Sequence, residues 1–374
     1  MISGIGEQIG RTCGEFLKKP SVIGFEEPFF KFLDKQFKKM GCETESLYNR
    51  YGRRVLLAVS NCGFDHKKMV SAHIDRHGLY KILDPHLVYY GERDHRKRDV
   101  EYAAHAIRRI NFDKDEFNEQ LLQRVSDYFL GEMITAYHPV THKKMLKTAI
   151  EEKNIRIIDD YLTFSLRDLK SLDHLPFQFI PLAFTAPTTV TEDGMIAGQI
   201  DNAISVAIIH QLFQDQVPMT ALLTTDEEIG ESWVFLDRYF SKYNLEPKNL
   251  LVLDTSPYKE EHGLDNLHQS GSVVLRYTDN YAAFNRSLTH ELRQSADELA
   301  ISHDFKDLTL LKHGHSHLGN TELGKLILKG HGKYSGTTLQ VPTDEYHTNR
   351  EKTAVSCVAN CYRLLTYYLE KENQ

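Results

Sequence analysis

The chain reads as an α/β protein whose main sheet is covered by helices on both faces, with a smaller domain inserted into it. Three observations predict this. Short apolar runs recur at 55–59, 69–72, 221–225 and 250–253, and they are continuous rather than alternating, as in parallel strands buried on both sides. Helical periodicity falls between several of them, supplying the covering layers. Residues from about 80 to 175 are polar and charged and interrupt the pattern, so the main domain is expected from 1–80 with 176–374, and the insert from 81–175.

Taken in order, Phe29, Phe30, Leu33, Phe37 and Met40 repeat at helical spacing, and the β-prone run from Val55 to Val59 comes next. The run beginning at Met69 leads into His73-Ile74-Asp75. In the insert, Phe117, Leu121, Leu122, Val125 and Phe129 predict a helix over 115–130, and the mixed-sign run 93–99 reads as solvated surface. Ile204, Ile208 and Leu212 predict a helix after Asp201-Asn202, ending near Pro218. The next two runs lead into Asp226-Glu227-Glu228 and into Asp254. A last helix is expected from Thr348 or Asn349, with Thr348 and Glu351 as a Thr-x-x-Glu capping box and Ala354, Val355, Val358, Cys361, Leu364, Leu365 and Tyr368 as its apolar stripe.

Composition narrows the function. The 374 residues carry 45 Lys+Arg against 52 Asp+Glu, a formal charge of −7, which weighs against nucleic acid or anionic lipid as partners and favours small molecules or peptides. Hydrophobic residues at 41% and charged residues at 26% exclude a disordered or membrane-spanning chain. Five cysteines without CxxC spacing indicate neither a disulfide framework nor a thiolate zinc knuckle, and Cys357 and Cys361 share a helix face as packing thiols. With no basic-then-apolar leader, the expected location is the cytoplasm.

Acidic and imidazole residues recur where apolar runs end: His73 and Asp75, Asp201, Glu227 and Glu228, Asp254, and His347 before the last helix. Singly, each has an ordinary reading. Asp201 suits a helix N-cap, the glutamates suit a first helical turn, Asp254 suits a turn, and His73 with Asp75 suits a packed strand end. Together they fall at the sheet edge where α/β proteins bind ligands, and carboxylates gathered there repel by several kcal/mol unless cations neutralise them. Imidazole and carboxylate without thiolate suit Zn, with Co or Mn as alternatives. A two-metal hydrolase needs a bridging carboxylate, further ligands and an unligated base, and adjacent glutamates whose side chains diverge make Glu227 and Glu228 candidates for base and ligand. His313, His315 and His317 alternate, but the intervening glycine and serine indicate a loop.

The segments His73-Ile74-Asp75-Arg76-His77-Gly78-Leu79, Asp201-Asn202, Asp226-Glu227-Glu228-Ile229-Gly230, Asp254 and Tyr346-His347 resemble the successive motifs of the di-zinc aminopeptidases of the glutamyl-aminopeptidase and tetrahedral (TET) type, metallopeptidase family 42. The resemblance covers most of the chain outside the insert and implies a zinc-exopeptidase-like sheet and removal of N-terminal residues from peptides. It implies two divalent ions bridged by Asp201, one completed by His73 and Asp254, the other by Glu228 and His347. Glu227 becomes the general base. Asp75 belongs to the catalytic apparatus through the second N–H of His73, which it would accept. The family's dimers, and the dodecamers built from them, make a homo-oligomer the expected assembly.

Separations of 128 residues from His73 to Asp201 and 93 from Asp254 to His347 put the insertion early, as in these aminopeptidases. Two alternatives are a metallo-carboxypeptidase or N-acyl amino acid deacylase with the same metal chemistry, and a non-catalytic metal-stabilised binding or assembly protein. Arg76, at a pocket-bordering position that is usually acidic, Ala203, where an arginine is usual, and the helical insert depart from the family pattern. Residues 319–324 resemble its pocket-side Gly-Thr-Asp segment, which would let Glu322 line the substrate site.

Overall fold

The computed structural model describes residues 2–64, 68–81, 87–90, 129–150, 155–158, 161–177, 179–185, 189–258, 264–306, 318–345 and 347–371. Helices α1 (Ile2–Leu17) and α2 (Glu27–Lys39) precede strands β1 (Glu43–Tyr48), β2 (Arg54–Ser60) and β3 (Met69–His73). The chain then builds a second sheet from β4 (Leu79–Lys81), β5 (Leu87–Tyr90), β6 (Met133–Tyr137), β7 (Lys144–Ala149), β8 (Ile155–Ile158), β9 (Tyr161–Ser165) and β10 (Ile180–Phe184). It returns through β11 (Thr189–Val190), β12 (Met195–Ala197), α3 (Ala203–Gln214), β13 (Thr220–Thr224), α4 (Trp233–Tyr243) and β14 (Leu250–Pro257). The remainder is α5 (Leu264–Ser270), β15 (Val273–Leu275), α6 (Arg286–Glu298), β16 (His303–Phe305), α7 (Glu322–Lys329), β17 (Gly336–Thr343), β18 (Lys352–Ala354) and α8 (Val355–Lys371).

The larger sheet has the order β1-β2-β13-β3-β14-β17-β15-β16. Strand β3 lies between β13 and β14 and is parallel to both, and β14 is parallel to β17, so four carboxyl ends share one edge. Leu57, Val59, Val70 and Ala72 face one way, onto α1, α3 and α8, and the alternate residues Leu56, Ala58, Met69 and Leu222 face α4 and α7. Burial on both faces is why these runs are continuous in sequence.

The second sheet, ordered β7-β6-β10-β4-β5-β9-β8, is antiparallel throughout. Leu79, Ile134, Ala136, Ile180 and Leu182 belong to a core of its own. Its middle pairs β4 with β10, strands that begin at Leu79 and end at Phe184. The helix expected over 115–130 falls, from 115 to 128, outside the described residues, as does the charged run 93–99.

One boundary differs from expectation. The last helix starts at Val355, and Lys352–Ala354 instead forms β18, which pairs with β12. Thr348 does not cap: its hydroxyl donates to the Glu345 carbonyl at 2.6 Å, and the Glu351 carboxylate turns inward to the Asp201 and His347 backbone. The Thr-x-x-Glu spacing is real, but the buried backbone N–H donors of Asp201 and His347 outcompete the local cap for the Glu351 carboxylate.

Candidate metal centre

Each expected residue reaches the carboxyl edge of the parallel strands by a different route. His73 is the last residue of β3, and Asp254 lies within β14. Glu227 and Glu228 sit in the connection between β13 and α4, entered through Asp226 at φ 63. Asp201 and Asn202, joined by a cis peptide, precede α3. His347 lies beyond β17 at φ 65. The local readings fall away: α4 begins only at Trp233, Asp254 is strand rather than turn, and no side chain caps α3.

The structure brings these residues into one buried cluster. His73 Nε2 lies 3.3 Å from Asp201 Oδ1, 3.6 Å from Asp254 Oδ1 and 4.0 Å from Glu227 Oε2. His347 Nε2 lies 3.5 Å from Asp201 Oδ2 and 3.2 Å from Glu228 Oε2. Donors that share one ion at zinc bond lengths stand roughly 3–3.5 Å apart, so both groupings have the spacing of a coordination shell. The two oxygens of Asp201 thus face two different imidazoles.

Both Asp201 carboxylate oxygens and Glu228 Oε1 are buried and accept no hydrogen bond. Burial opposes protonation of His73, yet contacts with Asp201, Asp254 and Asp75 hold it well above its ordinary value. Burial likewise raises Glu228, but His347 and His77 pull it well below the usual carboxylate range. Glu227 is pushed well above that range, first by burial, against the His73 charge and with Asp254, Glu228 and Asp75 adding to the rise. These are the marks of a cluster short of positive charge, and the oxygen and nitrogen donor set fits divalent cations. His73, Asp201 and Glu228 form one possible donor group, and His77, Glu228 and His347 another.

A shell of buried contacts supports the donors. Asp75 Oδ1 accepts the Glu227 N–H at 3.3 Å and Oδ2 the Glu228 N–H at 3.2 Å, so its carboxylate fixes the glutamate turn. His73 Nδ1 stands 3.2 Å from the Asp75 carbonyl oxygen and 3.5 Å from its Oδ1, so the nearer oxygen is the carbonyl rather than the carboxylate expected from the sequence. Glu351 Oε2 accepts the Asp201 N–H at 2.8 Å, and Asn202 Nδ2 donates to the Leu253 carbonyl at 2.8 Å. Arg53 joins Asp226 and Glu26 at the start of the turn.

The structure bears on one departure, Arg76, and on the expectation for Glu322. The Arg76 guanidinium is buried and donates to the Lys19 carbonyl, and burial pulls it down to about 10. Glu322 does not line a substrate site: it is 4% exposed and accepts the hydroxyls of Thr224 at 2.6 Å and Ser71 at 2.7 Å, tying α7 to the sheet. His313, His315, His317 and Tyr346 lie outside the described residues. A cleft of about 1270 Å³ between α1 and the β7 region is lined by none of the cluster residues.

His77 and Glu351 are the contacts that sequence reasoning misses. His77 continues the alternation of His73 and Asp75, a signal that is legible. Glu351 carries only its spacing from Thr348, which points elsewhere.

The profile of the M42 glutamyl aminopeptidase family matches residues 133–364, a span that contains every cluster residue except His73, Asp75 and His77. A TET aminopeptidase from a marine sediment thaumarchaeon superposes with a TM-score of 0.69 at 14% identity, over 98% of this chain and 96% of its own. An aminopeptidase from Desulfurococcus kamchatkensis gives 0.68 at 12% identity, over 98% and 95%. The TET1 peptidase of Pyrococcus horikoshii, which assembles into a tetrahedron or a large octahedral shell, gives 0.64 at 15% identity, over 96% and 98%. These likenesses show the fold, and the family match disfavours the carboxypeptidase, deacylase and non-catalytic readings. The chain belongs to the M42 glutamyl aminopeptidase family and is a metal-dependent aminopeptidase, a hydrolase.

Proposed function

We propose that the cluster is a two-ion centre that removes N-terminal residues from peptides, with Asp201 spanning both ions. His73 and Asp254 complete one set of donors, and Glu228 and His347 the other. The observation that carries this reading is the division of the Asp201 carboxylate, one oxygen toward His73 at 3.3 Å and the other toward His347 at 3.5 Å. Zinc is the ion that imidazole and carboxylate without thiolate suit best, with cobalt or manganese as substitutes. Divalent ions held there supply Lewis acidity toward the scissile carbonyl and the attacking water.

Glu227 is the general base. Its side chain, at 17% exposure, is the most accessible of the cluster carboxylates, which suits it to take a proton from water and pass it to the leaving amine. Asp75 positions it through the two backbone bonds at 227 and 228. The substrates are peptides with a free amino terminus, the setting is the cytoplasm, and the working form is an assembly of several copies, as for the Pyrococcus horikoshii relative.

The test is Glu227→Gln, assayed on an aminoacyl-anilide with metal content measured on the same sample. Loss of at least about 100-fold in kcat with two metal equivalents retained supports the roles given. Undiminished turnover removes Glu227 as base, and fewer than two equivalents in the unsubstituted protein removes the two-ion centre.

A further inference from the structure

His77, a possible donor beside Glu228 and His347, lies outside the two sets proposed above, yet it is packed against both of those residues. Its Nε2 stands 3.1 Å from His347 Nδ1 and 2.9 Å from Glu228 Oε2, with the two imidazole centroids 4.3 Å apart. The ring is 3% exposed. Its backbone is pinned from both sides: Gln199 Nε2 donates to the His77 carbonyl at 2.7 Å, and a Cβ on the adjacent Gly78 would meet Val22 at 2.6 Å and the Leu182 carbonyl at 2.9 Å.

The two imidazoles of the proposed donor sets have different neighbours at their second nitrogen. His73 turns Nε2 toward Asp201 and Asp254 and Nδ1 toward an acceptor, the Asp75 carbonyl. His347 turns Nε2 toward Asp201 and Glu228 and Nδ1 toward His77. An ionised carboxylate only accepts, so the proton between His77 Nε2 and Glu228 Oε2, 2.9 Å apart, is carried by His77.

We propose that His77 is a positioning residue for the second ion: its Nε2–H donates to Glu228 Oε2 and aims that carboxylate, while its ring packs against the His347 imidazole. The effect falls on one ion, because Glu228 and His347, the two residues that His77 holds, both belong to that ion's donors, whereas His73 and Asp254 complete the other. This rests on the two-ion reading above.

The experiment loads the protein with Zn or Co and measures both equivalents by chelator competition, alongside melting temperature, for the wild type, His77→Leu and His77→Gln. In His77→Leu one ion should keep its wild-type affinity while the other weakens by about 10–100-fold. In His77→Gln, whose amide NH2 can donate to the same carboxylate, most of that loss should be recovered. Equal weakening of both ions, unchanged binding in His77→Leu, or no recovery in His77→Gln at wild-type melting temperature overturns the assignment. If His77→Leu fails to fold, His77→Gln together with His77→Asn carries the comparison: an amide NH2 that reaches Glu228 keeps the second ion, and loss in both variants overturns the proposal. Two wild-type equivalents with an insensitive His77→Leu overturn this inference alone, whereas fewer than two wild-type equivalents overturn it together with the two-ion reading.

Discussion

Glu351 Oε2 accepts the backbone N–H of Asp201 at 2.8 Å while Oε1 accepts that of His347, so one buried carboxyl group ties together the two segments whose side chains approach each other 3.5 Å apart. Glu351 and Asp201 are 150 residues apart in sequence, and the connection is made possible by β12 pairing with β18, which also places Gly198 N–H on the Glu351 carbonyl at 2.8 Å. Glu351 is fully buried, and burial with Asp201 beside it holds its carboxyl well above the usual range.

Glu351→Gln keeps the shape but replaces one acceptor by an amide NH2 that faces a backbone donor. The unsatisfied N–H should cost about 1–3 kcal/mol of stability. Metal content should fall as well, since Asp201 or His347 loses its backbone anchor. Chemical denaturation and elemental analysis on the same preparation measure both effects. A fully loaded variant of unchanged stability would show that the carboxyl group is not what fixes these segments.

Asp75→Asn tests the support beneath the glutamate turn. The carboxylate accepts the Glu227 N–H at 3.3 Å and the Glu228 N–H at 3.2 Å, and asparagine can accept only one of them. The expected outcome is a decrease of about 10–100-fold in kcat/KM. Steady-state kinetics at saturating metal would report it, and a variant within twofold of wild type would assign the turn geometry to other contacts.

Much of the site is legible in the sequence because parallel strands buried on both faces write themselves as continuous apolar runs, and the polar residues at the carboxyl end of such a run lie at the ligand edge. His73, Glu227, Glu228 and Asp254 are all found this way. Asp201 and His347 need more, since neither terminates a strand: Asp201 lies in the connection from β12 to α3, and His347 is a left-handed residue after β17. Glu351 and Glu322 mislead for one physical reason. Local spacing and motif position suggest a cap and a pocket wall, while their hydrogen-bond partners, the Asp201 N–H and the hydroxyls of Ser71 and Thr224, come from segments 98 to 251 residues away.

Arg53→Met should destabilise the protein through the same turn. Glu26 is fully buried and pushed up to about 8 by burial, against the Arg53 charge, and Asp226 shares that guanidinium. Removing the cation leaves two buried carboxyl groups facing each other, at an expected cost of about 3 kcal/mol. Adding Glu26→Gln to the variant should recover part of the loss, as residues in one network do not act additively. Denaturant titration of the single and double variants decides this, and strict additivity would show that no coupling runs through Arg53.

His210 gives a pH dependence separable from the metal centre. It lies on the α3 face that meets α1 and α2, edge-on to Phe16 at 5.4 Å and tilted against Phe37 at 5.8 Å, and burial lowers it from 6.5 to about 4. The folded state therefore resists protonation more than the unfolded chain. Its contribution is fully present above pH 6.5 and is lost as the pH falls through 4, amounting in the limit to about 3 kcal/mol and to about 2 kcal/mol by pH 5. His210→Leu removes the titrating group and keeps an apolar side chain in the pocket. The stability difference between wild type and variant, measured by denaturant unfolding from pH 7.5 to pH 5, should shift by that amount in favour of the variant. A constant difference across the range would mean that His210 is protonated as readily in the folded protein as in the unfolded one.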